Sequence, residues 1–567
     1  MIPMRDGKRL SAYVYFPKGV GADQKWPAIF EQRYADISSA GSRKNAAKFA
    51  EAGFVIALVN YRGTHESEGV YRGYRGLQWG ELRDGYDVCE WLAAQPWCTG
   101  KVGTYGGSQA GYAQNYLAVT QPPHLVAQYM TDTGLSLFHE GYRIGGTTKP
   151  QRFIKGGAVA RDIADNDALL REWDAHPDYD DYWRDEDASL HFDKMNLPCF
   201  TIGSWFDFMC QGSVASFVGR QTKGGPASRG HQQLVLGPWL HGGYPKSNKI
   251  GDLVFPENAQ FDVLAHMVKW FNHFLKGEDN GIEKDRTVRY YVMGACGEKD
   301  APGNVWREAK DWPPNTEGKQ YHLSSDGKLV PGFGFEPKGG LFPIRRANDD
   351  GSKSTSSSSV PHLPLITPRK SASYASDPRQ PMSLPFTGFP GAKDARPFEQ
   401  QSEVRTWTTD PLSEPEEWTG EVTAEVFVSS TAKDTDFILR VSDVYPDGRS
   451  ILLMDYPMRA RYREGFDKQV LLTPTPADAP ASRLLSKPEE IARLHWHIGF
   501  TSIIFNRGHR IRVTIASTGA PFYEPNNQTG GPQTVDWMKT TLPAINTIWH
   551  DAAHPSRIIV PLVNPAR

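Results

Sequence analysis

The sequence lacks paired cysteines, long apolar runs and an excess of charge of either sign. Its five cysteines stand singly with no CxxC spacing, which argues against a zinc site and a disulfide framework. A single bridge between Cys89 and Cys98 stays open. The chain has 63 basic against 65 acidic side chains, a formal net charge of −2. We therefore expect no nucleic-acid partner and a small or neutral ligand.

No apolar run approaches the roughly 18 residues that a membrane helix needs, so we expect no membrane partner. Met1 leads directly into Pro3 and Asp6, without the charged and apolar regions of a signal peptide. We expect a soluble protein, located in the cytoplasm or, if a leader has been removed, secreted or periplasmic. A length of 567 residues is too great for one core and predicts several domains.

Apolar runs and helical patterns alternate in the first part of the chain and return later. Residues 26–30 and 54–59 are continuous apolar runs, typical of strands buried on both faces of a parallel sheet. Residues 81–94 then carry apolar side chains at helical spacing. Strand patterns return at 199–203 and 234–237. These patterns predict an α/β fold with a doubly wound sheet.

The same patterns divide the chain into domains. We assign residues 1–133 and 191–310 to the two parts of the α/β domain, and residues 134–190 to an inserted helical cap. Residues 311–567 are predicted to form a long surface linker and then an all-β sandwich, because a serine-, proline- and glycine-rich stretch precedes short strand patterns. The acidic run 178–187 predicts a solvated helix face, with a metal or ammonium site as the alternative.

The sharpest local signal is the stretch from Val102 to Gly111, which predicts a strand, a tight turn and a helix start. At a nucleophile elbow the serine has a strained backbone, and the residues two before and two after it are small so that strand and helix can approach. Gly106 and Ala110 hold these positions around Ser108. A phosphate loop is the alternative, but no GxGxxG or GKS/T pattern occurs here. We therefore predict that Ser108 is a nucleophile.

A nucleophilic serine needs a general base and a carboxylate that orients the base. In α/β-hydrolases these residues follow in the order Ser, acid, His, each after a strand. Asp207 and His241 each follow a predicted strand in that order. Asp193 is a rival acid, but it precedes its strand and so belongs to the wrong end of the sheet. We predict a catalytic triad of Ser108, Asp207 and His241.

The tetrahedral intermediate of such a reaction needs hydrogen-bond donors for its oxyanion. One donor is commonly the backbone N–H that follows the nucleophile, here that of Gln109. A second donor is predicted in the loop after an early strand, from the Tyr34 hydroxyl or a backbone amide, with packing as the alternative role of Tyr34. Aromatic residues beside the acid and the base predict a pocket for the acyl or leaving group: Trp205, Phe206 and Trp239.

Several stretches outside the triad carry a further signal. They are PMRDG at 3–7, NYRG at 60–63, SEG at 67–69, WLAAQPWCTGKVGTYG at 91–106, GSWFD at 203–207, GPW at 237–239, DTDF at 434–437, DGR at 447–449 and GHRI at 508–511. With them the chain resembles the cocaine esterase and Xaa-Pro dipeptidyl-peptidase-like serine hydrolases over nearly its whole length.

The resemblance implies an α/β-hydrolase domain, an inserted helical cap and a C-terminal jelly-roll domain that helps to wall the active site. It implies the same triad, with Tyr34 and the Gln109 amide as the oxyanion hole. Family elbows often have an aromatic residue where this chain has Gln109, which predicts a more polar pocket. An Arg-Gly pair is kept in the family at Arg62, and we expect Arg62 to hold a loop.

These observations predict a serine hydrolase that cleaves a small-molecule carboxylic ester or amide through an acyl-enzyme, without cofactor or metal. We favour esters because no anchor for a peptide N-terminus is evident, and an Xaa-Pro dipeptidyl-peptidase or an acylase on peptide or amide substrates is the first alternative. The second alternative is a non-catalytic ligand- or carbohydrate-binding protein, in which Trp407 and Trp418 stack on sugars. A homodimer stays open.

Overall fold

The structure, a computed structural model, has an α/β half followed by an all-β half. It describes residues 1–19, 24–149, 159–242, 247–285, 287–332, 370–384, 391–472, 490–533 and 537–563. The strands of the α/β half are β1 (Ile2–Pro3), β2 (Arg9–Leu10), β3 (Ala12–Tyr15), β4 (Trp26–Arg33), β5 (Val55–Asn60), β6 (Cys98–Gly107), β7 (Leu125–Thr131), β8 (Arg143–Ile144), β9 (Thr147–Thr148), β10 (Cys199–Ser204), β11 (Gln232–Gly237), β12 (Lys249–Ile250), β13 (Leu253–Val254), β14 (Val288–Val292) and β15 (Val305–Ala309). Its helices are α1 (Ala40–Glu51), α2 (Asp84–Ala93), α3 (Gln109–Thr120), α4 (Ile163–Ala175), α5 (Asp181–Arg184), α6 (Cys210–Lys223) and α7 (Val263–Lys276).

Nine strands form one sheet in the order β15-β14-β11-β10-β7-β6-β4-β5-β3. The neighbouring pairs from β14 to β5 are parallel, and the edge strands β15 and β3 are antiparallel. The apolar runs that predict strands form β4, β5, β10 and β11, which are buried almost throughout. The predicted α/β fold is confirmed. Because parallel strands end at one edge, the residues that follow β6, β7, β10 and β11 lie at that edge.

The segment between β7 and β10 contains the residues predicted to form a cap. It holds a π-helical turn (Leu137–Gly141), the β8–β9 hairpin, α4 and α5. The prediction of a solvated acidic face is wrong for Glu186 and Asp187, which are buried. The Tyr179 and Ser189 hydroxyls donate to Asp187, and burial raises the pKa of Glu186 to about 7. Hydrogen bonds and a raised pKa thus make the burial of these carboxyls tolerable.

The β half is built from eleven described strands and one short helix. They are β16 (Glu317–Leu323), β17 (Leu329–Pro331), β18 (Ser371–Ser376), α8 (Arg396–Glu399), β19 (Arg405–Thr408), β20 (Glu416–Ser430), β21 (Asp436–Val444), β22 (Ser450–Arg459), β23 (Ala492–Phe505), β24 (Arg510–Ala516), β25 (Ala544–Trp549) and β26 (Arg557–Leu562). One sheet has the order β17-β16-β26-β20-β25-β18 with β23 added to β20, and the other has the order β19-β24-β21-β22. The predicted C-terminal sandwich is confirmed.

The two tryptophans considered for sugar stacking lie inside this sandwich. Trp407 and Trp418 are 2% and 0% exposed. Their indole N–H groups donate to the Ser324 carbonyl and the Glu416 carboxylate. A ring that is enclosed in this way presents no face to a sugar, so the stacking role is wrong for both residues.

Three strands lie in the part of the chain predicted to be a linker. β16 pairs with β26, and β18 pairs with β25. Sequence patterns hide these strands because they are short and largely polar: β16 buries only three of its seven residues, Gln320, Tyr321 and Leu323. The serine-rich tract at 351–359 lies outside the described residues.

The β8–β9 hairpin joins the cap segment to the sandwich through the backbone. The Arg459 amide of β22 donates to the Gly145 carbonyl at 2.8 Å. Gly145 has φ of 56°, and a Cβ atom there would lie 1.8 Å from the Pro457 carbonyl oxygen. A larger residue at this position would force the hairpin away from β22.

A buried histidine links the two halves of the molecule a second time. His509, between β23 and β24, accepts or donates on both ring nitrogens: Nδ1 lies 2.7 Å from Asp443 and Nε2 lies 2.9 Å from Glu298, which follows β14. Burial alone lowers the pKa of His509, but its bonds to Asp443 and Glu298 outweigh burial and raise the pKa above its ordinary value. The protonated imidazole therefore donates a hydrogen bond to one carboxylate from each half of the molecule.

We expect His509→Ala to lower the free energy of unfolding by about 3 kcal/mol near pH 6, because two carboxylates lose their buried partner. The folded-state pKa of His509 is raised, so its stabilisation is complete below the unfolded-state value of about 6.5 and is lost as pH rises through the folded-state value. The difference in unfolding free energy between the native protein and the variant should therefore shrink toward pH 9. Thermal unfolding across this range measures it.

A surface pair provides the control for this prediction. His124 lies 2.7 Å from Glu90 and is 47% exposed, so His124→Ala should change stability by at most about 1 kcal/mol. If the loss of unfolding free energy caused by His509→Ala stays constant or grows from pH 6 to pH 9, the proposed role of the protonated His509 is contradicted.

Arg62 lies in a buried ion-pair network, in keeping with the loop-holding role expected of it. Its guanidinium nitrogens lie 2.6 Å from Asp6 and 2.6 Å from Asp84. Burial raises the pKa of Asp84 to about 6, although the bond to Arg62 acts in the opposite direction. The network holds the N-terminal turn, the loop after β5 and the start of α2 together.

Two expectations based on composition concern the thiols and the membrane. All five cysteines are buried and have free thiols, so the bridge left open between Cys89 and Cys98 does not form. Burial raises the pKa of Cys89 well above its ordinary value, which is typical of an inert interior thiol. Within the described ranges, no helix combines the length and the apolar character needed to cross a bilayer.

Candidate active site

Ser108 lies at the sharp turn between β6 and α3. Its backbone has φ of 57° and ψ of −118°, a left-handed conformation that is strained for a residue other than glycine. The Ser108 amide donates to the carbonyl oxygens of Thr131 and Asp132 at 3.0 and 3.1 Å, which fixes the turn against the end of β7. This is the geometry expected of a nucleophile elbow.

The small residues around Ser108 are required by the close approach of strand and helix. A Cβ atom at Gly106 would lie 2.7 Å from the Ala110 Cβ and 2.8 Å from Oε1 of Glu31. Ala110 itself is fully buried. Glycine two before the serine and alanine two after it therefore satisfy the steric requirement from which the elbow was inferred.

Asp207 and His241 lie in direct contact after the neighbouring strands β10 and β11. Oδ1 of Asp207 is 3.0 Å from Nδ1 of His241. The Asp207 side chain is fully buried, whereas that of His241 is 19% exposed, so the imidazole reaches the surface from a buried carboxylate. The rival Asp193 lies in a short 3-10 turn before β10, with its carboxylate exposed and 3.7 Å from Lys194.

The side chain of Gln109 binds the loop that follows β4. Its Oε1 accepts hydrogen bonds from the Tyr34 and Ala35 amides at 2.8 and 3.1 Å. The side-chain oxygen is thus engaged by two amides of this loop, which differs from the expectation that Gln109 makes the pocket more polar. The backbone amide of Gln109 opens α3, where the first N–H groups have no acceptor within the helix.

Tyr34 packs beside the elbow among other tyrosines. Its ring meets those of Tyr61 and Tyr74 edge-on, with centroids 5.8 and 6.4 Å apart. The Tyr61 hydroxyl in turn donates to the Gln109 carbonyl at 2.6 Å. Because the Tyr34 and Ala35 amides bind Gln109, the Tyr34 hydroxyl is the better supported of the two candidate oxyanion donors in this loop.

A cleft lies between the α/β half and the sandwich. Trp205 and Phe206 line it beside Asp207, opposite residues 452–456 of β22. Trp239 does not belong to this lining: it is 1% exposed and its indole N–H donates to a carbonyl of the core, that of Ala259. Trp239 is therefore a core residue, which differs from its predicted place in the pocket.

The structure adds one carboxylate that sequence reasoning missed. Asp132 follows β7 and is 1% exposed. Single oxygen or nitrogen atoms of Asp132, Asp207 and His241 all lie within 4.8 Å of one another. Burial and the charge of Asp207 raise the pKa of Asp132 to about 7. The signal that selected Asp207, an acid that follows a strand between the nucleophile and the base, applies to Asp132 as well.

Two family models match successive parts of the chain. A model of the X-Pro dipeptidyl-peptidase (S15 family) matches residues 6–164 and 155–243. A model of the X-Pro dipeptidyl-peptidase C-terminal non-catalytic domain matches residues 280–559.

Individual relatives cover nearly the whole chain. A cocaine esterase from Rhodococcus sp. (strain MB1 Bresler) is 27% identical over 99% of this chain and 98% of its own length. A solved aminopeptidase from the marine sediment archaeon Thaumarchaeota archaeon has a TM-score of 0.76 at 22% identity, covering 100% of this chain and 96% of that one. A solved α-amino acid ester hydrolase has a TM-score of 0.75 at 20% identity, covering 99% and 96%. Together with the family matches, the full-length likeness places this chain in the cocaine esterase and X-Pro dipeptidyl-peptidase-like family of serine hydrolases.

Proposed function

We propose that the protein is a serine esterase that cleaves a carboxylic ester through an acyl-enzyme. The observation that carries this proposal is the 3.0 Å contact between His241 and the buried Asp207, at the sheet edge where Ser108 occupies a strained elbow. A buried carboxylate on Nδ1 fixes the tautomer in which Nε2 of the imidazole is a base.

In the proposed reaction the Ser108 hydroxyl attacks the carbonyl carbon of the ester. His241 takes the hydroxyl proton and returns it to the alcohol as the carbon–oxygen bond of the leaving group breaks. Water then attacks the acyl-enzyme and gives a proton to His241. The imidazolium passes this proton to the Ser108 oxygen as the acyl–oxygen bond breaks, so that the acid is released and the serine hydroxyl is restored. Asp207 orients the imidazole throughout.

Two donors are assigned to the oxyanion in this scheme, the Gln109 N–H and the Tyr34 hydroxyl. Each such donor contributes about 2.7 to 4 kcal/mol to the stabilisation of the transition state. Both belong to one connected unit, since the Gln109 side chain binds the Tyr34 amide and the Tyr61 hydroxyl binds the Gln109 carbonyl.

Two buried carboxyls of the cap segment offer no free anion to a peptide N-terminus, which is in keeping with an ester substrate. Such a peptide needs an available anion for its ammonium group. Glu140 accepts hydrogen bonds from the amides of Leu135 and Ser136, and burial raises its pKa to about 8, so it is mostly neutral at pH 7. Asp187 is engaged by two hydroxyls. Dipeptide release is the second candidate function, favoured by the match to the S15 family model.

A substrate panel tests the proposal. We expect the native protein to hydrolyse p-nitrophenyl acetate with a higher kcat/KM than phenylglycine methyl ester or Gly-Pro-p-nitroanilide. A fluorophosphonate probe should label the native protein and the Ser402→Ala control, which alters an exposed serine of the sandwich, but should not label Ser108→Ala. Faster turnover of the Gly-Pro anilide would favour the peptidase over the esterase as the function of this protein. Native-level hydrolysis by Ser108→Ala would refute the nucleophile.

A further inference from the structure

Asp132 makes contacts with three turns of the proposed site. Its backbone carbonyl accepts from the Ser108 amide at 3.1 Å, in the turn after β6. Its Oδ1 accepts from the Ser204 hydroxyl at 2.8 Å, at the end of β10. Its Oδ2 accepts from the Gly242 amide at 2.7 Å, in the turn after β11. Gly242 directly follows His241, so the last of these bonds fixes the backbone next to His241.

We propose that Asp132 is a positioning residue that fixes His241 relative to Ser108 and supplies a second carboxylate beside the imidazole. The inference rests on the proposed function, because it takes His241 as the base. Asp132 touches neither the substrate nor the reacting atoms in this scheme, and it acts through the Gly242 amide and through its charge. At separations of 4.8 Å or less in a buried site, a carboxylate charge favours the imidazolium that forms during the reaction.

The titratable groups around Asp132 come from three neighbouring elements. Asp207 from the turn after β10 raises the pKa of Asp132, and His241 from the turn after β11 lowers it. Cys210, at the start of α6, faces the same carboxylates, and its burial holds its thiol pKa well above the ordinary value, so it stays uncharged.

The test compares Asp132→Asn and Asp132→Ala with the native protein, using p-nitrophenyl acetate between about pH 5 and about pH 9. The asparagine amide keeps the shape and can bond both Ser204 and Gly242, so it removes mainly the charge. We expect kcat to fall about tenfold in Asp132→Asn and about 100-fold in Asp132→Ala with KM little changed. The acid limb of kcat/KM should move to lower pH in both variants, because the imidazolium loses a neighbouring carboxylate that is partly ionised near pH 7.

The outcomes separate a positioning role from a merely structural one. A fall in kcat with an unmoved acid limb in Asp132→Asn would overturn the proposal, as would native kcat in both variants. Should Asp132→Ala fail to fold, Asp132→Asn decides alone. Asp193→Asn, at the other end of β10, is the control and should behave like the native protein. A native protein without esterase activity would remove the proposed function and this inference together, whereas an active one with unaffected variants overturns only the role of Asp132.

Discussion

His241→Ala is expected to lower kcat for p-nitrophenyl acetate about a million-fold, and Asp207→Asn about ten-thousand-fold. Without the imidazole, no group takes the Ser108 proton as the carbonyl is attacked. Without the charge of Asp207, the imidazole loses the partner that selects its tautomer at 3.0 Å. The double variant should lose no more than His241→Ala alone, because the residues act as one unit. Single-turnover release of p-nitrophenol measures these losses.

His231 provides a matched control for this prediction. It directly precedes β11, whereas His241 follows that strand, and its side chain is 48% exposed. His231→Ala should keep native kcat and native thermal stability. Retention of more than about one hundredth of native kcat by His241→Ala, in a variant that unfolds at the native temperature, would exclude His241 as the general base.

Tyr34→Phe is expected to lower kcat about 100- to 1,000-fold with little change in KM. The hydroxyl is the donor in question because the Tyr34 and Ala35 amides both bind the Gln109 side chain. Phenylalanine keeps the ring contacts with Tyr61 and Tyr74, so packing should survive. The loss should therefore concern the transition state alone, where negative charge develops on the carbonyl oxygen.

Tyr13→Phe on the edge strand β3 is the control, since that tyrosine is 46% exposed. Steady-state kinetics with p-nitrophenyl acetate, together with thermal unfolding, distinguish the two variants. A Tyr34→Phe protein with native kcat would assign Tyr34 to packing and leave the Gln109 N–H to bind the oxyanion without it.

Local patterns were sufficient to predict the elements that carry the proposed triad. Continuous apolar runs identify β10 and β11 because both faces of these strands are buried, and the acid and the base directly follow them. The elbow is readable because its steric requirement restricts the sequence on both sides of Ser108. The apolar runs and the small residues around Ser108 depend only on residues close together in the chain and on the parallel arrangement of the strands.

Contacts between distant segments were not predictable in the same way. Gln109 differs from the family pattern, and only the structure shows that its side chain binds the Tyr34 amide, 75 positions away. The burial of Glu186 and Asp187 depends on partners such as Tyr179, which the charge run alone does not reveal. The polar strand β16 is stabilised by pairing with β26, more than 200 residues later.

The backbone contact between Gly145 and β22 has a consequence for attempts to recombine relatives of this protein. Ile144 of the same hairpin and residues 452–456 of β22 both border the cleft beside Asp207. A chimera that takes its C-terminal half from one parent and its hairpin from another would break this contact beside Asp207. Substrate choice should therefore pass between parents only when both pieces are transplanted together.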